Sequence, residues 1–351
     1  MDKEKHQRRS LVPSITPTDL KEVKEKAKRS IQQKIIFFLT HRITLSFFFS
    51  FVILLYVALK IDYAALRQHL AEMRSFPLVL SFMSMVGILH VRALRWYLLL
   101  AMNNPNLRFR DFLFPFYLGD ALTTFIPMKF GEAFAMGIPP KYLNIPLSSS
   151  LSTTWFYRIF DMCLVTGTVV VLFPVLFHDL TGFEFVIAFT TFIFLFFLYA
   201  LFNKEFAFKV VRFLRLKFLE EILEKIYQDV HNFRVSAFLG TLFLSLIIWA
   251  LFCVMLIFIL AGFSVEVVPL VIVAAVGIYV AVGVPLSSAG IGAGTIGSVY
   301  VLTHAGELNE DLAFTIMIIY GFIIAIVEGL FGLIGNVVTN SVIEKKFKKE
   351  R

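Results

Sequence analysis

The fold class this sequence predicts is an all-α, polytopic membrane helix bundle with about six full spans and two re-entrant helical hairpins of opposite orientation. Three observations carry that expectation. Of the 351 residues 58% are hydrophobic and 41 are Phe, with a mean hydropathy of +0.79, well outside the range of soluble domains. Apolar runs long enough to cross a bilayer recur along the chain. Lys and Arg crowd some connecting segments and are missing from others, which gives each connection a side.

Residues 1–42 hold eleven Lys or Arg against five Asp or Glu, so they read as a basic cytoplasmic segment. The transmembrane domain then occupies residues 43–340, beginning with a span from Ile43 to Leu59 and a second from about Phe76 to Leu100. The second ends in His90-Val91-Arg92-Ala93-Leu94-Arg95-Trp96-Tyr97, consistent with arginines snorkelling to the cytoplasmic interface beside an aromatic belt. Anchoring and lipid binding are equally good readings of Arg92 and Arg95.

Charge parity then decides the middle of the chain. Apolar stretches cover 112–146, 147–177 and 183–202; the 178–182 loop lacks Lys and Arg, whereas 203–234 has seven of them. Three single crossings would put that basic segment outside. The conflict disappears if 112–146 enters and leaves on the cytoplasmic side, turning near Pro127 to Gly131. The same reasoning applies to 267–302, interrupted by Pro285 to Gly294 and followed by three acids in His304 to Asp311. A span from Leu312 to Asn340 ends in a basic tail, 341–351, so 267–302 starts and finishes outside. Between the halves, residues 203–235 alternate charged and apolar positions, as in an interfacial amphipathic helix or a helix that connects the halves.

Two oppositely inserted broken hairpins, each followed by a span, are the pattern of inverted repeats, with half-helix ends meeting near the midplane. Charges fall in this region. Lys129 and Glu132, and Arg158 and Asp161, stand at i, i+3 spacing within apolar sequence. Each unpaired charge at mid-membrane costs about 3 kcal/mol, so these groups pair or sit in water inside the protein. A guanidinium holds phosphate oxygens in bidentate fashion, which makes Arg158 the first candidate for a lipid head group and Lys129 the second. Glu132 and Asp161 would orient these cations or carry a proton. Asp120, Ser287, Ser288, Gly290 and Gly292 complete the candidate site, with Arg92, Arg95 and Glu328 as secondary members.

Other classes find little support. No nucleotide-binding glycine fingerprint after a strand, Ser-His-Asp order or metal-ligand spacing is present, and no cofactor is expected. Cys163 and Cys253 lie in apolar runs and suggest neither a disulfide framework nor a metal site. The net charge of +8 flanks membrane segments, which points to anionic lipid and not to nucleic acid.

At these residues the sequence resembles the transmembrane region of the lysylphosphatidylglycerol synthase family, a flippase-like group of integral membrane proteins. The resemblance covers roughly residues 40–340. It is carried by Arg95-Trp96, Gly119-Asp120, Pro127-Met128-Lys129-Phe130-Gly131-Glu132, Arg158, Asp161 and the Pro285 to Gly292 loop. Tyr157 and Thr295 stand where the family pattern often has an acid. The resemblance implies translocation of a phosphate-headed lipid in the plasma membrane, or a non-transporting subunit that holds lipid or a lipid-modifying enzyme; the basic segments at both ends make both termini expected to be cytoplasmic. No block of about 100 residues of mixed composition is present for a soluble aminoacyltransferase, so synthesis of a lysyl-lipid is not expected.

Overall fold

A computed structural model describes residues 63–126, 130–177, 203–213, 235–283 and 292–349, with isolated helical positions before and between these stretches. They belong to one compact unit, Phe49–Arg351; the other, Met1–Phe48, lies outside the described residues. Every regular element among them is helical. In chain order these are α1 Tyr63–Glu72, α2 Ser75–Asn103, α3 Phe109–Phe125, α4 Phe130–Met136, α5 Ile138–Leu143 and α6 Leu147–Leu176. There follow α7 Lys204–Phe213, α8 Val235–Gly262, α9 Pro269–Ile278, α10 Ala293–His304 and α11 Glu310–Lys349.

Four of these, α2, α6, α8 and the Glu310–Ser341 part of α11, are long and apolar enough to cross a membrane. They coincide with four of the six expected spans. The other two, 43–59 and 183–202, lie outside the described residues apart from isolated helical positions. Exposed Phe238, Phe243 and Leu246 on α8, and Leu330, Leu333 and Val337 on α11, form outward apolar faces suited to a hydrocarbon solvent. Residues 341–349 of the expected tail continue α11 as helix.

The spans pack as antiparallel neighbours through small residues. On α2 and α8, the Ser81 hydroxyl donates to the Met255 carbonyl at 3.3 Å and Gly87 faces Leu251, while Arg74 N–H, just before α2, donates to the carbonyl of Gly262, the last residue of α8, at 3.0 Å. On α11, Gly329, Gly332 and Gly335 face Phe125, Ala121 and the Phe114 carbonyl of α3. Such glycine rows let helix backbones approach closely where lipid supplies no hydrophobic drive. The end of α2 follows from its sequence: the Asn104 side chain donates to Leu100 O at 2.8 Å, and Pro105 cannot continue the helix.

Both short-helix regions fold back on themselves. In the first, Gly119 of α3 packs on Ala135 and Ile138, and Gly131 packs on Leu122 and Thr123, so α4 and α5 run back along α3. Asn103 to Asn106, before α3, and Tyr142 to Ile145, after α5, line one cavity of about 790 Å³ together with Val338 and Thr339 of α11. The hairpin therefore enters and leaves at the end where α2 and α11 finish. In the second, Gly306 meets Val271, Ser298 donates to Ala275 O at 2.8 Å and Gly297 meets Ile278, so α10 runs back along α9. A π-turn, Tyr279–Gly283, extends α9 toward the tip. This hairpin opens at the other end, where α8 has finished and α11 starts, and where His69 of α1 lies 3.4 Å from Thr315 and edge-on to Phe263. The opposed hairpins inferred from charge parity are thus the observed architecture of the described helices.

Helix α7 covers residues 204–213 of the expected 203–235 segment. Its apolar residues Phe206, Ala207 and Phe208 cluster with Leu223 and Tyr227 of the same segment and with Ala200 just before it, while Lys204 pairs with Glu224 at 2.6 Å. A self-covered face suits the connecting-helix reading.

The closeness of the first hairpin makes a sharp prediction. A Cβ on Gly131 would land on the Leu122 carbonyl oxygen and within 2.7 Å of Thr123 Cα, both backbone atoms that cannot rotate away. Gly131→Ala should cost at least the 1–3 kcal/mol typical of overpacking, roughly, and lower the apparent Tm in detergent. Gly167→Ala is the control, because its Cβ meets nothing within 4 Å, and should leave the Tm unchanged or higher.

Candidate functional site

The two hairpins and the four long helices meet around one interior chamber of about 150 Å³. That is roughly ten times the space one water needs, and close to the size of cavity that admits a benzene-sized group. Its wall is built in a fixed order of helices. Arg92 and Arg95 stand one turn apart on α2; Asp120 comes from α3 and Glu132 from α4; Tyr157, Arg158 and Asp161 share a face of α6; Glu328 comes from α11. Trp96, Phe116, Trp249, Phe252 and Tyr279 supply the aromatic part.

Sequence explains how α6 comes so close to the first hairpin. Its opening turns, Ser148 to Thr154, consist of small hydroxyl residues apart from Leu151, most of them buried. Thr153 and Thr154 satisfy their hydroxyls on the carbonyls of Ser149 and Ser150 at 2.7 and 2.8 Å, and Ser150 donates to Met136 O of α4 at 2.7 Å. Trp96 Nε1 donates to Thr153 Oγ1 at 3.0 Å and its ring stands edge-on to Phe112, Phe116 and Tyr157. Arg158 and Asp161, about one and two helical turns further on, are thereby aimed into the chamber.

The charges form a connected network. Arg92 donates from Nη2 to Asp120 Oδ1 at 2.6 Å and from Nη1 to Glu328 Oε1 at 2.7 Å. Arg95 makes a bidentate pair with Asp161, at 2.6 and 3.1 Å, and also donates to Ser245 Oγ at 2.7 Å. Its guanidinium lies 4.4 Å above the Tyr157 ring. Arg158 donates to Glu132 Oε1 at 2.6 Å and stands 3.5 Å from Asp161 Oδ2. Three guanidinium groups thus serve four carboxylates among the described residues. Four buried polar atoms of the network, Arg95 Nε, Arg158 Nε, Asp120 Oδ2 and Glu328 Oε2, have no hydrogen-bond partner among them.

Several expectations need correction. Arg95 does not snorkel: it is 4% exposed and lies eight residues, about 12 Å, before the end of α2. Carboxylates on α3, α6 and α11 draw both α2 arginines inward. The i, i+3 pair Arg158–Asp161 exists only as the longer contact, because Asp161 is taken by Arg95 and Arg158 by Glu132. Lys129, Ser287, Ser288 and Gly290 lie outside the described residues. Gly292 begins α10 with φ 123°, a conformation suited to glycine, and its N–H meets Thr295 Oγ1 at 3.5 Å; it is not among the residues that line the chamber.

Sequence reasoning missed the aromatic wall and Ser245. The available signal was the pair Thr241 and Ser245, one turn apart in an α8 that is otherwise apolar after Ser236, with Trp249 and Phe252 continuing the same face. Along that face runs a further cavity of about 540 Å³, between α2 and α8, lined by Leu98, Met102, Ser236, Gly240, Thr241 and, at its inner end, Arg95. Arg95 is common to groove and chamber.

A bundle of long apolar helices around an interior ion-pair network, closed by two opposed hairpins, defines a polytopic membrane protein with an embedded polar site. The chain belongs to the family described as the lysylphosphatidylglycerol synthase TM region, whose model matches residues 43–332. Membership gives it a lipid-related membrane function. Comparison with curated proteins and with solved structures gave no match.

Proposed function

We propose that this protein moves a lipid with a phosphate-bearing head group between leaflets, acting as a transporter and not as an enzyme. The observation that carries the reading is the charged, aromatic-walled chamber between opposed hairpins, entered by a groove that ends at Arg95. The head group would pass through the groove to the chamber while its chains stay in lipid. Arg158 is the most open of the three guanidinium groups, at 27% side-chain exposure, and Glu132 occupies the position a phosphate oxygen would take on it. Candidate cargoes are aminoacylated or glycosylated phospholipids and polyprenyl-phosphate sugars. In this reading the groove end faces the cytoplasm at the plasma membrane, supported by the basic residues of 203–234 and the tail.

The test is reconstitution of the full chain in vesicles carrying a tagged phosphate-headed lipid, with exposure to an outer-leaflet reagent as readout. The protein should accelerate exposure. Gly240→Leu, which fills the groove at a position whose Cβ meets nothing within 4 Å, should slow it about tenfold, equivalent to about 1.4 kcal/mol on the barrier. Gly167→Leu, equally open, should leave it unchanged. Capture of a cytoplasmic glycosyltransferase with no lipid movement would replace this reading with that of a scaffold.

A further inference from the structure

Asp120 and Glu328 reach one guanidinium from α3 and α11. Each spends a single oxygen on Arg92, at 2.6 and 2.7 Å. Their side chains are 4% and 2% exposed, and the two carboxyl groups lie within hydrogen-bonding reach of each other. The remaining oxygens, Asp120 Oδ2 and Glu328 Oε2, are buried and meet no donor among the described residues. The other titratable or charged groups facing this trio are Arg95 on α2, Tyr157 and Arg158 on α6, and Tyr279 on the second hairpin. Of these, Arg95 is committed to Asp161 and Arg158 to Glu132.

One guanidinium balances one carboxylate. A second buried anion with an empty oxygen would stand uncompensated at a cost of several kcal/mol. Two acids sharing a site escape that cost by holding a proton between them, which turns an acceptor–acceptor contact into a hydrogen bond. We propose that Asp120 and Glu328 share one proton above Arg92 and exchange it as the lipid head group passes, an inference that rests on the lipid-moving reading for its second half. With the proton the trio is neutral; without it the charge is −1. A phosphate arriving at Arg158 adds negative charge nearby and favours the protonated trio, so proton and head group cross together.

The proton is tested without transport. Infrared difference spectra of the full chain at neutral pH, in a detergent free of ester carbonyls, should show the C=O stretch of a protonated carboxylic acid that shifts in D₂O. Both Asp120→Asn and Glu328→Gln should abolish it, because each leaves one acid paired with Arg92. Absence of the band from the native protein, or its survival in both variants, overturns the shared proton. Exchange is read in vesicles: one unit of pH difference should accumulate the tagged lipid about tenfold in the leaflet facing the alkaline side, the ratio one coupled proton supplies. Lipid that moves but ignores the gradient overturns the exchange and leaves the transport reading intact. Lipid that does not move at all defeats both, while the infrared result still decides the proton.

Discussion

Arg158→Ala should bring lipid movement down to the protein-free rate. The side chain lines the chamber and is the least buried of its three guanidinium groups. It also carries an unpartnered Nε beside the Nη2 that now holds Glu132. A phosphate that displaced Glu132 would thus meet adjacent donors in the fork that suits two of its oxygens. Arg158→Lys keeps the charge and loses the fork, so it should retain a minor part of the rate. Neither change should unfold the protein, since Arg95–Asp161 and the Arg92 pairs still join α2, α3, α6 and α11. The measurement is the vesicle assay, with gel filtration to confirm a folded protein. Full activity in Arg158→Ala would remove Arg158 from the transport path; Lys129→Ala then becomes the decisive variant.

Much of this architecture was legible because topology leaves a residue-level record in charge. The seven basic residues of 203–234 and the three acids of His304 to Asp311 demanded even numbers of crossings in 112–146 and 267–302. The observed hairpins, with Gly119 on Ala135 and Gly297 on Ile278, satisfy that demand. Pairing within the site was less legible. An arginine eight residues from a helix end looks the same in sequence whether it reaches the interface or turns inward. What decides is helix rotation, which places Asp161 under Arg95 and both Asp120 and Glu328 under Arg92. Glu328 is 208 residues from Asp120 in sequence, so nothing local links them. The aromatic wall was hidden for a related reason: in a chain with 41 Phe and 11 Tyr, a ring facing a chamber carries no compositional mark.

The other large effect belongs to the pair that holds the fold around the site. Arg95 joins three helices at once, through the bidentate contact to Asp161 on α6, the hydrogen bond to Ser245 on α8 and the stack on Tyr157. Its side chain is 5% exposed and that of Asp161 is 17% exposed. Arg95→Met leaves Asp161 with only the 3.5 Å contact to Arg158 and should destabilise by about 3–5 kcal/mol, the usual consequence of orphaning a buried charge. Arg95→Met combined with Asp161→Leu removes both charges and replaces them with apolar bulk. That exchange is commonly neutral or better, so the double variant should recover most of the lost apparent Tm. It should not recover lipid movement, because the cation shared by groove and chamber is gone. Equal stability of the single and double variants would show that the pair contributes little to the fold. Recovery of transport in the double variant would show that the head group passes without Arg95.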